Sequence, residues 1–458
     1  MKTIYSISLS ALALAASLAL VSCAKQDVID NGSASPADGA RTIAVSFANS
    51  STKSTLDGFQ PYFAAGDVIK VSNGTTAVDC EVEVDGDKAT ISTTLTGALT
   101  MVYPSTAAKM NGNAIDGILV PTVQDGTFAS ANICKAEIAA GATSATFENQ
   151  TAIFKLSVPA KVDEKGVDYV AKSLKVISKN GNIADGSKEI KVGDGTSPVT
   201  ADENGFYYVS VLPGETASNL YVCAGAGARK LTGDDAIAVN KMYSVALPVL
   251  NGHEYVEMTM TVGETTKTYK WATMNIGATT PEDYGHYFAW GETTGHKANS
   301  EITGFEDGHS FDWAHNPFNN GSSSINYTYF DAHKSEWLTD ENILKPEYDA
   351  ANVNWGGSWR MPTKAESDAL KLITDKAWNA TNKGYTFGVS PAQIFLPVTG
   401  FGFGTVINGA GNYGSYWSSS LYTEAPYNAF ELYFDNGSVN TNDCIGRHCG
   451  LSVRPFSK

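Results

Sequence analysis

Short runs in which apolar residues alternate with small or polar ones recur along the first 250 residues, and they restrict the chain more than any other feature. They read Ile43-Ala-Val45-Ser-Phe47, Asp67-Val-Ile-Lys-Val71, Cys80-Glu-Val-Glu-Val84, Ala89-Thr-Ile-Ser-Thr93, Ala152-Ile-Phe-Lys-Leu-Ser-Val158, Ser173-Leu-Lys-Val-Ile177 and Phe206-Tyr-Tyr-Val-Ser-Val211. A period of two sends successive side chains to opposite faces of a pleated strand, so each run can bury one face against a second sheet. Turn pairs separate them at Asn73-Gly, Asp85-Gly and Asp116-Gly. This spacing predicts β-sandwiches. A renewed start at Asn149 to Val158, after the loop-rich stretch 141–146, divides the front half into sandwiches over 42–150 and 151–250.

From residue 251 the chain changes character. All eight Trp and all seven His lie beyond this point. Strand-like runs at Tyr255 to Val262 and Thr268 to Ala272 are followed by a long stretch, 293–350, without periodicity. A structureless stretch of that length inside a domain is usually functional or packed by its own aromatics. One helix is well signalled: Thr363-Lys-Ala-Glu366 forms a capping box, and Ala369, Leu370 and Ile373 continue the helical spacing up to Lys376. The fold class expected for the whole chain is mostly β, with an α+β domain over 251–458.

The chain begins as an export signal. Met1-Lys2 supplies a positive start, and an apolar, small-residue run leads to Leu20-Val-Ser-Cys23. The run is shorter than a comfortable bilayer span, which favours cleavage. The Leu-Val-Ser-Cys order resembles a bacterial lipobox, which implies a signal peptide over 1–22 and a lipidated Cys23 as the first mature residue. Residues 23–41 carry Asp, Gly, Ser and Ala with no apolar alternation and read as a flexible tether. A lipidated Cys implies attachment to a membrane by a lipid anchor, expected to be in the outer membrane. A net charge of −16 disfavours nucleic acid or anionic lipid as a partner. With Cys23 lipidated, five cysteines remain, an odd count that precludes complete pairing; Cys444 and Cys449 form a candidate disulfide.

The front half resembles the fimbrillin-like lipoproteins of Bacteroidota. The residues that carry the resemblance are the lipobox, the tether, Val45-Ser-Phe47 followed by Thr52-Lys-Ser-Thr55, then Phe63-Ala-Ala-Gly-Asp67-Val-Ile-Lys-Val71, and Lys241-Met-Tyr-Ser-Val-Ala-Leu247. The resemblance implies two transthyretin-like sandwiches, assembly with other fimbrial subunits, and an arginine-specific cleavage for which Arg41 would be the matching point. The chain departs from polymerising members because residues 24–40 do not look like a removable strand that would leave an open groove. That departure favours an accessory, anchor or tip component over a shaft subunit.

The back half resembles the Fibrobacter succinogenes major paralogous domain and related modules with a C-type-lectin-like fold. Five phrases in order carry this: Tyr287-Phe-Ala-Trp-Gly-Glu292, Gly357-Ser-Trp-Arg-Met-Pro-Thr363, Phe395-Leu-Pro-Val-Thr-Gly-Phe401, Tyr416-Trp-Ser-Ser-Ser420 and Leu451-Ser-Val-Arg-Pro455. The resemblance makes Trp359, Trp417 and Arg454 scaffold, with Glu366 as an acceptor for Arg454. Related modules display ligand-binding residues in the corresponding C-terminal stretch. Here Tyr, Asn, Asp and His interrupt the apolar scaffold, a mixture of rigid aromatics and adaptable polar groups suited to recognition. The ligand-binding candidates are Tyr422, Glu424, Tyr427, Asn428, Asn440, Asn442, Asp443 and His448.

Catalytic signatures are weak. The calcium-ligating phrases of sugar-binding C-type lectins do not occur. Cys444 and Cys449 stand five apart like the thiols of formylglycine-generating enzymes, but they abut the chain's final strand. The sequence contains no zinc-protease helix, Walker loop or Gly-x-Ser-x-Gly elbow, and the His spacings give no metal-ligand set. No catalytic residue, metal or cofactor is therefore assigned. The reading is a surface lipoprotein that binds a protein or glycan ligand through its C-terminal domain; a purely structural fimbrial subunit and a glycoside hydrolase with dispersed carboxylates are the alternatives. Mass spectrometry of protein taken from cells is expected to show a mature chain beginning at a lipidated Cys23. A chain starting at Thr42 would instead report cleavage after Arg41.

Overall fold

A computed structural model describes residues 39–48 and 61–458. The expected signal peptide, Cys23, most of the expected tether and Thr52 to Thr55 lie outside the described residues. The chain is mostly β. In strand Arg41–Phe47 the period of two is met: Ile43 and Val45 are buried while Thr42, Ala44 and Ser46 face out. This strand pairs antiparallel with Lys88–Thr93 on one edge and parallel with Ser144–Asn149 on the other. The circuit continues through Cys134–Ile138, Leu99–Tyr103, Val68–Ser72 and Ala77–Asp85 and closes on Lys88–Thr93. Its core holds Ile43, Ile69, Val71, Val82, Met101 and Phe147.

Two of the three turn pairs join hairpins. Asn73-Gly74 links Val68–Ser72 to Ala77–Asp85, and Asp85-Gly86 links that strand to Lys88–Thr93. The third does not. Asp116-Gly117 lies inside strand Ala114–Ile118, where Asp116 is the extra residue of a bulge, and the chain turns earlier, at Gly112.

Strands Phe206–Val211, Ala152–Ser157 and Lys241–Ala246 form a three-stranded sheet, in that order. It packs on a second sheet through Phe154, Leu156, Val209, Leu174, Val176 and Val222. That second sheet does not stop at the change in composition. It runs from Val123–Gln124 through Glu189–Val192, Leu174–Ser178, Leu220–Ala224 and Gly227–Lys230, then on to His253–Val262, Thr265–Ala272 and Phe456–Ser457. The crossing point is a single parallel pairing, Ala228 to Val256. Gly227 permits it, because a Cβ there would lie 2.9 Å from the Tyr255 carbonyl oxygen and 3.0 Å from that of Pro248. Beside it, the Glu254 carboxylate accepts from Ala226 N (2.9 Å) and Tyr169 Oη (3.0 Å), and burial raises its pKa against the pull of those donors.

The turn into the last 200 residues is Asn251-Gly252, joining Val249–Leu250 to His253–Val262. Both residues have positive φ, 51° and 87°, as a two-residue hairpin with the strand's own twist requires. The buried Asn251 side chain then ties three segments together. Its Oδ1 accepts from Val162 N (3.0 Å), and its Nδ2 donates to Asp163 Oδ1 (2.8 Å) and to the Trp355 carbonyl (2.6 Å). Asp163 also accepts from Gly357 N at 2.6 Å, and this bond, with that from Asn251, holds its carboxyl below the usual range.

Beyond the junction a further sheet runs in the order His296–Lys297, His286–Phe288, Leu451–Ser452, Gly414–Leu421, Asn428–Phe434 and Val439–Asn440, with Cys444–Gly446 also paired to Asn428–Phe434. The capping box at Thr363 and Glu366 is present, but its helix ends at Lys371 rather than Lys376, which instead opens strand Lys376–Asn379. Helix Tyr327–Trp337 lies within the stretch that shows no periodicity. Only Phe330 and Trp337 of its residues are buried, too few for a readable stripe, and Asn326 caps it.

Asn251→Gly keeps the turn conformation but removes the three side-chain bonds. It is expected to lower unfolding free energy by about 2–4 kcal/mol in urea titrations. Gly252→Ala should destabilise as well, since its Cβ would lie 2.1 Å from the Val167 carbonyl oxygen.

Candidate functional site: an aromatic face above a buried arginine

Buried tryptophans set the floor of the C-terminal module. Trp290 Nε1 donates to the Ser418 carbonyl (2.9 Å), Trp417 Nε1 to that of Phe288 (2.7 Å), and Trp359 Nε1 to that of Leu250 (2.9 Å). Each indole thus fills core volume and bonds a segment remote in sequence. Arg454 is buried too, but its partners differ from the expectation. Its Nε donates to Asn275 Oδ1 (2.8 Å), and its terminal nitrogens donate to the carbonyls of Ala272, Thr273 and Phe395 at 2.8 to 3.1 Å. Glu366 is engaged elsewhere, pairing with Arg360 and closing the capping box. Burial pushes the Arg454 pKa down to about 10.

Arg447 occupies the space between this floor and the surface. It is 1% exposed. Its Nε donates to the Pro426 carbonyl (2.7 Å) and its guanidinium lies 3.9 Å from the Phe330 ring centroid and 5.8 Å from that of Trp313. Burial pushes its pKa down to about 9. Its backbone N–H donates to the Tyr427 carbonyl at 2.9 Å, and its carbonyl accepts from Asn316 Nδ2 (2.8 Å) and Trp290 N (2.9 Å).

Two groups of rings lie near Arg447. His448 packs on Trp313, with centroids 4.4 Å apart, and meets Phe403 edge-on at 5.6 Å. Burial lowers the His448 pKa, so the ring is neutral near pH 7. Tyr427 meets Tyr327 edge-on at 6.2 Å. Phe403 is 53% exposed, Tyr327 50% and Tyr427 37%, so this is an open aromatic face.

The structure sorts the eight candidates. Tyr427 and His448 flank Arg447 on the aromatic face. Tyr422 donates to Glu424 Oε2 (2.8 Å) on the adjacent hairpin, where half-buried Asn428 donates to Cys444 Sγ (3.5 Å). Asn440, Asn442 and Asp443 are used in local turns: Asn440 Oδ1 accepts from Asn442 N and Asp443 Oδ1 from Cys444 N, both at 3.0 Å. Asn440 pairs with Tyr433, at the opposite end of strand Asn428–Phe434 from Tyr427. Cys444 and Cys449 are separate thiols, not a disulfide: Cys444 sits on a strand opposite Phe430, while Cys449 is buried in the tryptophan core.

Trp313, Tyr327, Phe403 and Arg447 were not among the sequence candidates. Three of them come from outside the C-terminal stretch, and Arg447 belongs to it but is buried. The histidines hold a second surprise. Although their spacing gives no ligand set, Glu292, His296 and His309 converge, with ligand atoms all within 4.8 Å of one another.

No protein-family model matches the chain, and no curated protein matches it. Solved structures with some likeness include a fimbrial protein from Bacteroides ovatus, at 11% identity over 91% of this chain and 98% of that one, with a TM-score of 0.25. The fimbrial anchor protein Mfa2 from Porphyromonas gingivalis is similar at 14% identity over 51% of this chain and 97% of its own, with a TM-score of 0.26. A fimbrial assembly protein from Parabacteroides distasonis is 8% identical over 51% of this chain and 94% of its own, with a TM-score of 0.24. Likenesses this distant do not bear on the activity or partners of this chain.

Arg454→Met should destabilise the protein by about 3–5 kcal/mol, since three carbonyls and Asn275 lose a buried donor. In urea titrations Glu366→Gln should cost less than this, because the amide oxygen can still accept from Thr363 N and Arg360 Nη1, and only the bond from Nη2 loses its acceptor.

Proposed function

We propose that this protein is a surface-exposed, lipid-anchored and fimbria-associated adhesin that binds a protein or glycan through the face formed by Trp313, Tyr327, Phe403, Tyr427 and His448. The observation that carries the reading is the open cluster of aromatic rings on a rigid floor. Such rings offer large, stiff contact area at little entropic cost, and either the apolar faces of sugars or protein side chains can stack on them. Arg447 beside them adds positive potential to the face while its Nε donates to the Pro426 carbonyl and its Nη1 to Asn316 Oδ1.

The front half serves as stalk or assembly module in this reading. Strand Arg41–Phe47 is paired along both edges, so a cut after Arg41 would leave the strand in place and open no groove beside it. That supports an accessory, anchor or tip role, with other fimbrial subunits as partners, over a shaft subunit. The reading assigns no enzymatic activity.

The full-length protein displayed on cells should bind a subset of glycans or glycoproteins on arrays. Tyr427→Ala combined with His448→Ala should weaken that binding at least about tenfold without changing the thermal midpoint by more than a few degrees. The isolated residues 251–458 are a poor probe, because excising them breaks the pairing of Ala228 with Val256. Full incorporation into fibres with no binding in any format would favour the purely structural subunit.

A further inference from the structure

Glu292, His296 and His309 meet at the start of the irregular stretch, and the groups around them are arranged to hold their orientation. His296 is 7% exposed, with Nε2 3.0 Å from Glu292 Oε1 and Nδ1 2.6 Å from Asp307 Oδ2. The other oxygen of Glu292 accepts from Ala289 N at 2.8 Å, which turns Oε1 toward His296. The other oxygen of Asp307 accepts from His309 N at 3.0 Å, so one carboxylate positions both histidines. The His309 ring lies parallel to that of His296, with centroids 3.5 Å apart, and its Nε2 is buried without a hydrogen-bond partner. Phe311 closes the apolar side, edge-on to both imidazoles at 5.4 and 4.6 Å.

We propose that this is a binding site for a divalent transition metal of the zinc class, ligated by the Glu292 carboxylate and the imidazoles of His296 and His309, with Asp307 as the outer partner of His296. Two nitrogens and one oxygen suit zinc, and not calcium or magnesium, which prefer all-oxygen shells. A tetrahedral shell with bonds of about 2.0–2.1 Å puts its donors roughly 3.3 Å apart. The present spread of up to 4.8 Å needs only a modest contraction, achieved as the stacked rings fan toward a common centre. An imidazole whose second nitrogen faces a carboxylate is the usual arrangement behind a metal-bound histidine. The carboxylates of Glu292 and Asp307 together balance a doubly charged ion. The orphan Nε2 of His309 gains a partner, and the fourth position is left for water. The bound ion would join segment 289–297 to segment 305–311, directly before Trp313.

Zinc chloride alone, titrated into metal-stripped full-length protein by calorimetry and followed by metal analysis of the dialysed product, tests this. One equivalent per chain is expected, with a raised thermal midpoint and no comparable response to calcium. His309→Ala and Glu292→Gln should each abolish stoichiometric retention. Asp307→Asn should weaken zinc affinity about 10–100-fold while leaving the metal-free urea midpoint near wild type. His315→Ala is the control, because that exposed ring contacts His309 at 5.4 Å but is bonded to Asp312. If a variant misfolds, the cobalt(II) spectrum of the wild-type protein decides, since a tetrahedral nitrogen and oxygen shell gives intense visible bands. Retention below about a fifth of an equivalent, binding that survives the His309 and Glu292 variants, or a loss that His315→Ala shares would overturn the site.

Discussion

Backbone hydrogen bonding across one narrow point holds the two halves of the protein in register. A strand edge left open in water exposes unpaired donors and acceptors, and the edge of Gly227–Lys230 meets His253–Val262 instead. The contact is short, so it depends on what flanks it. On one side the Glu254 carboxylate bonds the turn at Ala226, and on the other Asn251 bonds Val162, Asp163 and Trp355. The change in composition at residue 251 therefore coincides with a continuous sheet and not with a loose linker. Position and orientation of the C-terminal module follow from that continuity.

The tryptophans extend the same constraint outward. Trp359 bonds the Leu250 carbonyl, immediately before the junction turn, and Trp355 stacks on His253 with centroids 3.7 Å apart. Trp290 and Trp417 then bond strands at 288 and 418 to each other from opposite sides. These indoles and Arg454 satisfy carbonyls in the interior. Trp313, Phe403 and Tyr427 remain partly exposed beside that interior.

Much of the front half was legible because its signals are local. Alternation located the strands around Ile43, Val71, Val82 and Phe154, and the Asn73-Gly and Asp85-Gly pairs located two hairpins. Asp116-Gly misled because a bulge uses the same residues as a turn. In the back half the capping box at Thr363 identified a helix whose end the sequence overextended, since Ile373 packs on the core from a turn and not from another helical step. Helix Tyr327–Trp337 was missed because a two-residue stripe has no measurable period. Two of the eight candidate binding residues, Tyr427 and His448, fall on the aromatic face; their neighbours Trp313 and Phe403 could not be found by reading the C-terminal stretch alone.

The sequence by itself determined the β character, the position of several turns and one helix cap. All of these follow from backbone sterics and side-chain periodicity over fewer than about ten residues. Only the tertiary structure decided that Arg454 bonds carbonyls while Glu366 serves Arg360, that Cys444 and Cys449 remain apart, and that Glu292, His296 and His309 share one centre. Those outcomes depend on which distant segments are brought within hydrogen-bond reach, and aperiodic loops carry no local signal of where chain closure will take them.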